Sequence, residues 1–255
     1  LVSSITKDFH DNRIEGQEYD FPIYSFGKPF TKTPTPFEFT VLKHAAITSL
    51  LLDYVKRFKN IDWIMELGSG MSNNLFQLWM DGGPKNAQYI GYEITRSGRE
   101  TAKLLSSFEK GINFQAKKFD YYKINLKDHT FKGNGIIFSS YSIEQITNLP
   151  EDTLEILSKI PGLKGAIHFE PISWQLSWLK NNKGDYALKD KEIKKYLNLC
   201  EKDARKRNYN LNFGDLLNKA HKEKIIQVDL DFSKRIYMSH RFDLPAALIY
   251  WEPIK

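Results

Sequence analysis

The spacing of apolar residues between positions 60 and 171 switches repeatedly between a strand-like and a helix-like period. Short apolar runs predict five strands, at residues 63–67, 87–94, 112–117, 134–141 and 164–171. Helical spacing predicts helices between them, at residues 73–83, 95–110 and 151–160. Strands that alternate with helices are typical of a parallel sheet with helices on both faces.

The segments on either side complete the predicted layout. Residues 1–36 are rich in Pro, Phe and Tyr and predict an irregular aromatic arm, and residues 38–59 carry apolar positions at helical spacing. After the fifth strand, residues 172–223 are predicted to be mostly helical. Two final strands are predicted at residues 224–232 and 245–254.

Together these elements predict a doubly wound α/β fold with a mostly parallel, seven-stranded sheet. We expect residues 60–255 to form one domain with a helical insert at about 172–223. An N-terminal arm and an amphipathic helix, residues 1–59, are expected to precede this domain. With 255 residues, of which 41% are hydrophobic, the chain can bury a large core.

Composition narrows the classes of function. No window approaches the roughly 18 apolar residues that a membrane-spanning helix needs, so we expect a soluble, cytoplasmic protein without a membrane span. The only cysteine, Cys200, cannot form an internal disulfide and excludes a cysteine-rich metal site. The net charge of +6 is densest at residues 189–207, where acidic residues are mixed in, which favours a solvated helix face over a nucleic-acid site.

A short glycine turn, Glu66-Leu67-Gly68-Ser69-Gly70, stands between the first predicted strand and its helix. Glycines at two positions let the backbone turn sharply and approach a ligand closely, and the helix that follows presents free N–H groups. Ligands of open parallel sheets bind at this carboxyl edge of the strands. The turn therefore predicts a site for a small molecule.

Two acidic residues indicate that this molecule contains adenosine. Glu93 ends the second strand, about 20 residues after the turn, at the spacing where a carboxylate accepts hydrogen bonds from ribose hydroxyls. Asp120 follows the third strand among aromatic residues and is a candidate partner for an adenine amino group. A nicotinamide dinucleotide is disfavoured, because its fingerprint requires a third glycine or an alanine where this chain has Asn73.

The chain has, in this order, an acid-x-Gly-x-Gly turn, an acid that closes the second strand and a final pair of strands. This order resembles the class I, Rossmann-like S-adenosylmethionine-dependent methyltransferases. The resemblance covers about residues 60–255 and implies S-adenosyl-L-methionine as the cofactor. The cofactor-binding residues that it implies are Glu66, Gly68 and Gly70 at the methionine part, with Ser69 and Ser139 in the same site, Glu93 at the ribose and Asp120 near the adenine.

The methyl acceptor is expected at the ends of the fourth and fifth strands. Methyl transfer is an in-line displacement from a sulfonium, so the enzyme must align the nucleophile and, for a hydroxyl, remove its proton. His168 is the candidate base because an imidazole titrates near neutral pH, and the alternative is a histidine satisfied inside the sheet. Glu144 and Glu170 are candidates for orienting His168, for binding acceptor hydroxyls or for holding a divalent cation with His168, and capping of its helix is the alternative for Glu144. No spacing demands a metal ion, and none is predicted.

The sequence also disfavours some acceptors. No Asn/Asp-Pro-Pro-Tyr/Phe motif follows the fourth strand and no cysteine follows a proline there, which disfavours amino groups of bases and the C5 position of pyrimidines. The sequences FSSYSIEQI and HFEP loosely resemble bacterial methyltransferases associated with surface glycans. We therefore predict O-methylation of a sugar, glycan or other polar hydroxyl acceptor, as in glycan biosynthesis. An RNA or small-molecule N-methyltransferase and a non-catalytic cofactor-binding subunit are the alternative interpretations, and the sequence predicts no oligomeric state.

Overall fold

The apolar runs of the sequence assemble into one large sheet. The computed structural model describes residues 24–25, 28–29, 47–126, 130–176, 178, 190–235 and 246–254. The strands are β1 (Tyr24–Ser25), β2 (Lys28–Pro29), β3 (Ile61–Leu67), β4 (Gln88–Glu93), β5 (Asn113–Lys118), β6 (Asn134–Ser140), β7 (Leu163–Glu170), β8 (Ile226–Val228), β9 (Lys234–Arg235) and β10 (Ala247–Pro253). Seven of them lie side by side in the order β5-β4-β3-β6-β7-β10-β8, while β9 also pairs with β10 and β1 pairs with β2.

Strand direction in the sheet matches the predicted pattern. The pairs β3–β4, β4–β5, β3–β6 and β6–β7 are parallel, and β10 runs antiparallel to both β7 and β8. The strand order reverses at β3, because β4 and β6 lie on either side of it. In such sheets the ligand crevice opens at the carboxyl ends of the strands beside this reversal. The predicted doubly wound, mostly parallel seven-stranded sheet is confirmed.

Helices cover both faces of the sheet. The described helices are α1 (residues 47–56), α2 (Asn73–Met80), α3 (Arg96–Phe108), α4 (Thr153–Ser158), α5 (Asp190–Lys206) and α6 (Phe213–Lys222). On one face Met65 and Trp251 of the sheet form a core with Leu154 of α4 and Leu217 of α6. On the other face, α1 and α2 pack on residues such as Ile64, Phe138 and Ile167. Alternating side chains of each strand therefore enter two separate cores.

The region between β7 and β10 contains the helical insert expected from the sequence, formed by α5 and α6. β8 is shorter than the predicted strand at 224–232 and covers only Ile226–Val228. The chain turns after it because the Asp229 side chain accepts hydrogen bonds from the backbone N–H groups of Asp231 and Phe232. The brief pairing of β9 with β10 is not predicted by the sequence pattern.

The insert is fastened to the segment that follows β6. The backbone N–H of Asn210 donates to the carbonyl of Glu144 at 2.7 Å. The side chain of Asn212 accepts from the N–H of Leu149 and donates to its carbonyl, both at 2.9 Å. We call residues 208–212 the asparagine strap.

Most of the predicted N-terminal arm lies outside the described residues, as do positions 38–46 of the first predicted helix. The described part of that helix, α1, buries Leu51, Tyr54 and Val55 against the sheet. The division into an arm with its helix and a main domain stays a prediction. Within the part of the chain that the structure describes, no helix is long and apolar enough to cross a membrane.

Candidate functional site

The chain leaves β3 through a turn in left-handed backbone conformation. Gly68 has a φ of 69° and Gly70 a φ of 54°, a region that strains residues with a side chain. The turn is held by β4, because the backbone N–H groups of Gly68 and Ser69 both donate to the carbonyl of Tyr92, at 2.8 and 3.0 Å. The glycine turn therefore lies at the carboxyl edge of the sheet, beside the reversal in strand order.

The side chain of Glu66, the second-last residue of β3, is buried. Asn74 Nδ2 donates to Glu66 Oε1 at 2.6 Å, whereas Oε2 has no hydrogen-bond partner among the described residues. Burial raises the pKa of Glu66 to about 8, although the Asn74 hydrogen bond acts in the opposite direction and nearby Glu93 adds a smaller increase. A buried carboxylate oxygen without a partner is costly, and a cationic or donor ligand would remove that cost.

Glu93 closes β4 and reaches back to the glycine turn. Its Oε2 accepts the N–H of Gly70 at 2.9 Å and its Oε1 accepts the N–H of Thr95 at 2.7 Å. Thr95 in turn caps α3 by accepting the N–H of Gly98 at 3.2 Å. One carboxylate thus joins the turn after β3 to the start of α3, at the place where the sequence predicts a ribose-binding residue.

The segment after β5 contributes Asp120 and Tyr121. Asp120 Oδ1 accepts the backbone N–H of Tyr122 at 2.9 Å, which tightens the turn that follows the strand. The hydroxyl of Tyr121 is hydrogen-bonded to Ser142 Oγ at 2.9 Å, and Ser142 Oγ donates to the carbonyl of Leu67 at 2.8 Å. Because a serine hydroxyl has one hydrogen, Tyr121 is the donor to Ser142.

Ser142 also lies directly against the first glycine of the turn. A Cβ at Gly68 would be 2.4 Å from Ser142 Cβ and 2.7 Å from its Oγ. A Cβ at Gly70 would meet nothing within 4 Å. The segment after β6 therefore packs onto Gly68, whereas Gly70 faces open space.

A row of buried polar side chains crosses β10, β7 and β6. Trp251 Nε1 donates to His168 Nε2 at 2.9 Å. Ser139 Oγ lies 2.8 Å from His168 Nδ1 and donates to Glu170 Oε1 at 2.6 Å. All four side chains are fully buried. Burial lowers the pKa of His168 to about 3, so its imidazole is neutral.

Glu170 connects this row to the segment after β6. Its Oε1 accepts the backbone N–H of Ser142 at 3.4 Å, and its Oε2 accepts that of Glu144 at 3.3 Å. Burial raises the pKa of Glu170 to about 7, although the hydrogen bonds from Ser139 and from the backbone act in the opposite direction. The side chain of Glu144 is only partly buried.

The residues predicted from the sequence thus form two neighbouring groups. The glycine turn, Glu66 and Glu93 come together, with Asp120 one strand further on. The second group consists of His168, Glu170, the backbone of Glu144 and also Ser139, which the sequence analysis assigns to the cofactor. Contact of any of these residues with a ligand stays a prediction.

Three carboxyl groups lie near one another at this edge of the sheet. Burial raises the pKa of Tyr121, and the charges of Glu170, Glu66 and Glu93 raise it further, although the hydrogen bond with Ser142 acts in the opposite direction. None of the ion pairs formed between described residues involves these three carboxylates. A positively charged ligand would lower the raised pKa values of Glu66 and Glu170 and so favour their ionised forms.

Among residues 47–126, 130–176 and the other described segments, no group of three or more His, Cys, Asp or Glu side chains is arranged to hold a metal ion. The prediction from the sequence that catalysis needs no metal ion stays a prediction.

Four residues of the site are not identified by the sequence analysis. They are Asn74, Tyr121, Ser142 and Trp251. Tyr121 and Ser142 lie in segments that the sequence analysis singles out, as neighbours of Asp120 and Glu144. Trp251 lies 83 residues after His168, and no local pattern reveals their contact.

Comparison with known proteins supports the fold. The chain matches no protein-family model, and no curated protein matches it by sequence. It is similar in structure to magnesium protoporphyrin IX methyltransferase (ChlM) from Synechocystis PCC 6803 with bound SAH. The TM-score is 0.52 and the sequence identity is 13%, and the match covers 98% of this chain and 99% of that chain. The fold is the Rossmann-like methyltransferase fold.

Two further solved structures share it. The N-terminal domain of EvdMO1, in the presence of SAH and D-fucose, matches with a TM-score of 0.50 and 10% identity over 99% of this chain and 97% of that chain. The CurJ carbon methyltransferase matches with a TM-score of 0.52 and 12% identity. The match covers 83% of this chain but only 54% of the CurJ chain.

Proposed function

We propose that this protein is an S-adenosylmethionine-dependent methyltransferase. The observation that carries the proposal is the buried Glu66 carboxyl group, whose Oε2 has no partner among the described residues and which begins the glycine turn. A ligand with an ammonium group and a sulfonium matches the three carboxyl groups at this edge of the sheet. The anionic pyrophosphate of a nicotinamide dinucleotide would instead raise the pKa values of Glu66 and Glu170 further and oppose their ionisation.

The residues of the crevice fit this cofactor. Glu66 is proposed to meet the positive charge of its methionine part, and the open side of Gly70 leaves room for close approach. Glu93 is proposed to accept the ribose hydroxyls, because a carboxylate has acceptor sites beyond the two that Gly70 and Thr95 occupy. Asp120 is proposed to lie near the adenine. When it is bound, the cofactor supplies an activated methyl group.

For the acceptor, we propose a hydroxyl of a sugar, a glycan or a similar polar molecule. The presence of D-fucose with EvdMO1, a structural neighbour, supports a sugar as the acceptor class. Glu144 is partly exposed beside the segment that covers Gly68, and it is the proposed group that binds the hydroxyl and takes its proton. Glu170 holds the backbone of Glu144 and thereby orients this segment.

The role of His168 as a base stays a prediction. Its hydrogen bonds show which contact must break before the ring can take a proton. Nε2 can accept a proton only if the bond from Trp251 breaks, and the ring is fully buried. In the arrangement described, His168 is instead suited to orienting Ser139 and, through it, Glu170.

The test of cofactor binding is a thermal-unfolding titration with S-adenosylhomocysteine (SAH), with NAD as the control ligand. SAH at one hundred times its dissociation constant should stabilise the fold by about 2.7 kcal/mol, which raises the midpoint by roughly 5–10 °C for a protein of this size. Glu93→Gln should lose most of the shift, whereas Glu100→Gln, an exposed carboxylate on α3, should retain it. A shift with NAD alone, or with neither ligand, would refute the cofactor assignment.

The acceptor is tested with a radiolabelled methyl donor and a panel of sugars, RNA and small amines. We expect label on a sugar hydroxyl, and we expect Glu144→Gln to lower turnover at least tenfold while SAH affinity is unchanged. Label on RNA or amines alone would establish the N-methyltransferase alternative. SAH binding without transfer to any acceptor would favour a non-catalytic subunit.

A further inference from the structure

The hydrogen bonds between Trp251 and Glu170 have only one allowed direction. An indole N–H is a donor and never an acceptor, so His168 Nε2 must accept from Trp251, at 2.9 Å. A neutral imidazole that accepts at Nε2 carries its hydrogen on Nδ1. His168 Nδ1 therefore donates to Ser139 Oγ, 2.8 Å away.

Ser139 transmits this direction to the site. Its Oγ accepts from His168, so its single hydrogen is committed to Glu170 Oε1, at 2.6 Å. Glu170 in turn accepts the backbone N–H groups of Ser142 and Glu144. With the opposite tautomer of His168, the hydroxyl of Ser139 would donate to Nδ1 and Glu170 would lose this bond.

We propose that Trp251 is a positioning residue of the cofactor site. Its indole hydrogen selects the Nδ1-protonated tautomer of His168, commits the Ser139 hydroxyl to Glu170 and so holds Ser142 against the glycine turn. Trp251 acts through other residues, because two strands, β7 and β6, separate β10 from β3. The proposal rests on the proposed function only where cofactor affinity is measured.

Packing alone does not require an indole N–H in this core. Trp63 on β3 is as deeply buried as Trp251, yet its Nε1 has no hydrogen-bond partner among the described residues. The same holds for the Nε1 atoms of Trp79, Trp174 and Trp178. Among the described residues, Trp251 is thus the tryptophan whose N–H is engaged, and Trp63→Phe is a matched control for Trp251→Phe.

The direct test is nitrogen-15 NMR of the histidine side chains, which reports which ring nitrogen carries the hydrogen. We expect His168 to be protonated on Nδ1 in the wild type and in Trp63→Phe. In Trp251→Phe, Nε2 loses its donor, and we expect a substantial population protonated on Nε2. A tautomer that stays on Nδ1 in Trp251→Phe would overturn the proposal.

Coupling to the site is tested by SAH affinity and by amide hydrogen exchange of Ser142 and Glu144. Trp251→Phe should weaken SAH binding about tenfold, the effect of about one hydrogen bond, and speed exchange at both amides, whereas Trp63→Phe should do neither. A changed tautomer with unchanged exchange would also overturn the proposal. If the wild type does not bind SAH, the proposed function fails, but the tautomer and the two exchange rates still decide the role of Trp251.

A second variant covers the case in which Trp251→Phe does not fold. All five tryptophans can be replaced by 3-benzothienylalanine, which has the shape of tryptophan but sulfur in place of the N–H. Because the other four N–H groups have no partner among the described residues, the Trp251 bond is the only tryptophan N–H bond between described residues that this replacement removes. It should reproduce the tautomer change and the faster exchange, and a wild-type tautomer would contradict the proposal.

Discussion

Replacing Glu66 by Gln should make the protein less sensitive to rising pH. Gln has the shape of Glu and can still accept the hydrogen bond from Asn74. It removes only the ionisation of a carboxyl group whose pKa burial raises to about 8. In the unfolded chain the same group titrates near its ordinary value of 4.5.

The sign and size of the effect follow from this difference. Between pH 4.5 and about 8 the folded protein binds a proton at Glu66 that the unfolded chain has lost, so the free energy of unfolding falls as pH rises. At about 1.4 kcal/mol for each pH unit that separates the two pKa values, the loss approaches about 5 kcal/mol above pH 8. Between pH 5 and 7 the same linkage gives roughly 2–3 kcal/mol.

The assay is urea unfolding of the wild type, Glu66→Gln and the control Glu100→Gln at several pH values between 5 and 8. Other groups also titrate in this range, Glu170 among them, so the difference between variants is the quantity to compare. We expect the stability of Glu66→Gln relative to the wild type to rise with pH, and Glu100→Gln to follow the wild type. Parallel curves for Glu66→Gln and the wild type would refute a raised pKa at this site.

Two further predictions concern the glycine turn and the strap. Gly68→Ala should lower the free energy of unfolding by about 2–4 kcal/mol because the new Cβ would clash with Ser142. Gly70→Ala has open space around its Cβ and only the left-handed strain, so it should cost about 1–2 kcal/mol. Equal losses in urea unfolding would contradict this. Asn210→Ala removes the side-chain bonds to Ile146 and Phe213 and should cost about 2–4 kcal/mol by calorimetry. A loss below about 0.5 kcal/mol would exclude a structural role for the strap.

Much of the fold can be predicted from the sequence because its elements depend on near neighbours. The strand predicted at 63–67 runs from Ile61 to Leu67, and its start is missed because the exposed Asp62 interrupts the apolar run. Thr95 is recognisable as the start of α3, since it accepts the N–H of Gly98 within the same turn of chain. The end of β8 is less predictable, because the alternation of apolar residues continues past Val228. The strand stops there because the Asp229 side chain accepts a hydrogen bond from the next residues and turns the chain.

The two groups of site residues, one at the glycine turn and one around His168, also differ in how well the sequence predicts them. Gly68 and Glu93 are recognisable because each lies where a strand ends. The partners of His168 are not, because they depend on how β10 aligns with β7. The register that pairs His168 with Ile249 brings Trp251, two residues further along the same face, to the imidazole. A shift of one residue would send the indole to the other face of the sheet.

The asparagine strap has a consequence for the order in which the protein assembles. Leu149 and Asn212 lie 63 residues apart along the chain, so their hydrogen bonds close a long loop, whereas Gly70 and Glu93 are separated by only 23 residues. Loop closure costs more entropy for the longer separation, and contacts distant in sequence form slowly. The glycine turn is therefore expected to be in place on the folding pathway before the segment after β6 is joined to the asparagine strap. During partial unfolding the same order runs backwards, and the asparagine strap separates from the segment after β6 while the glycine turn persists.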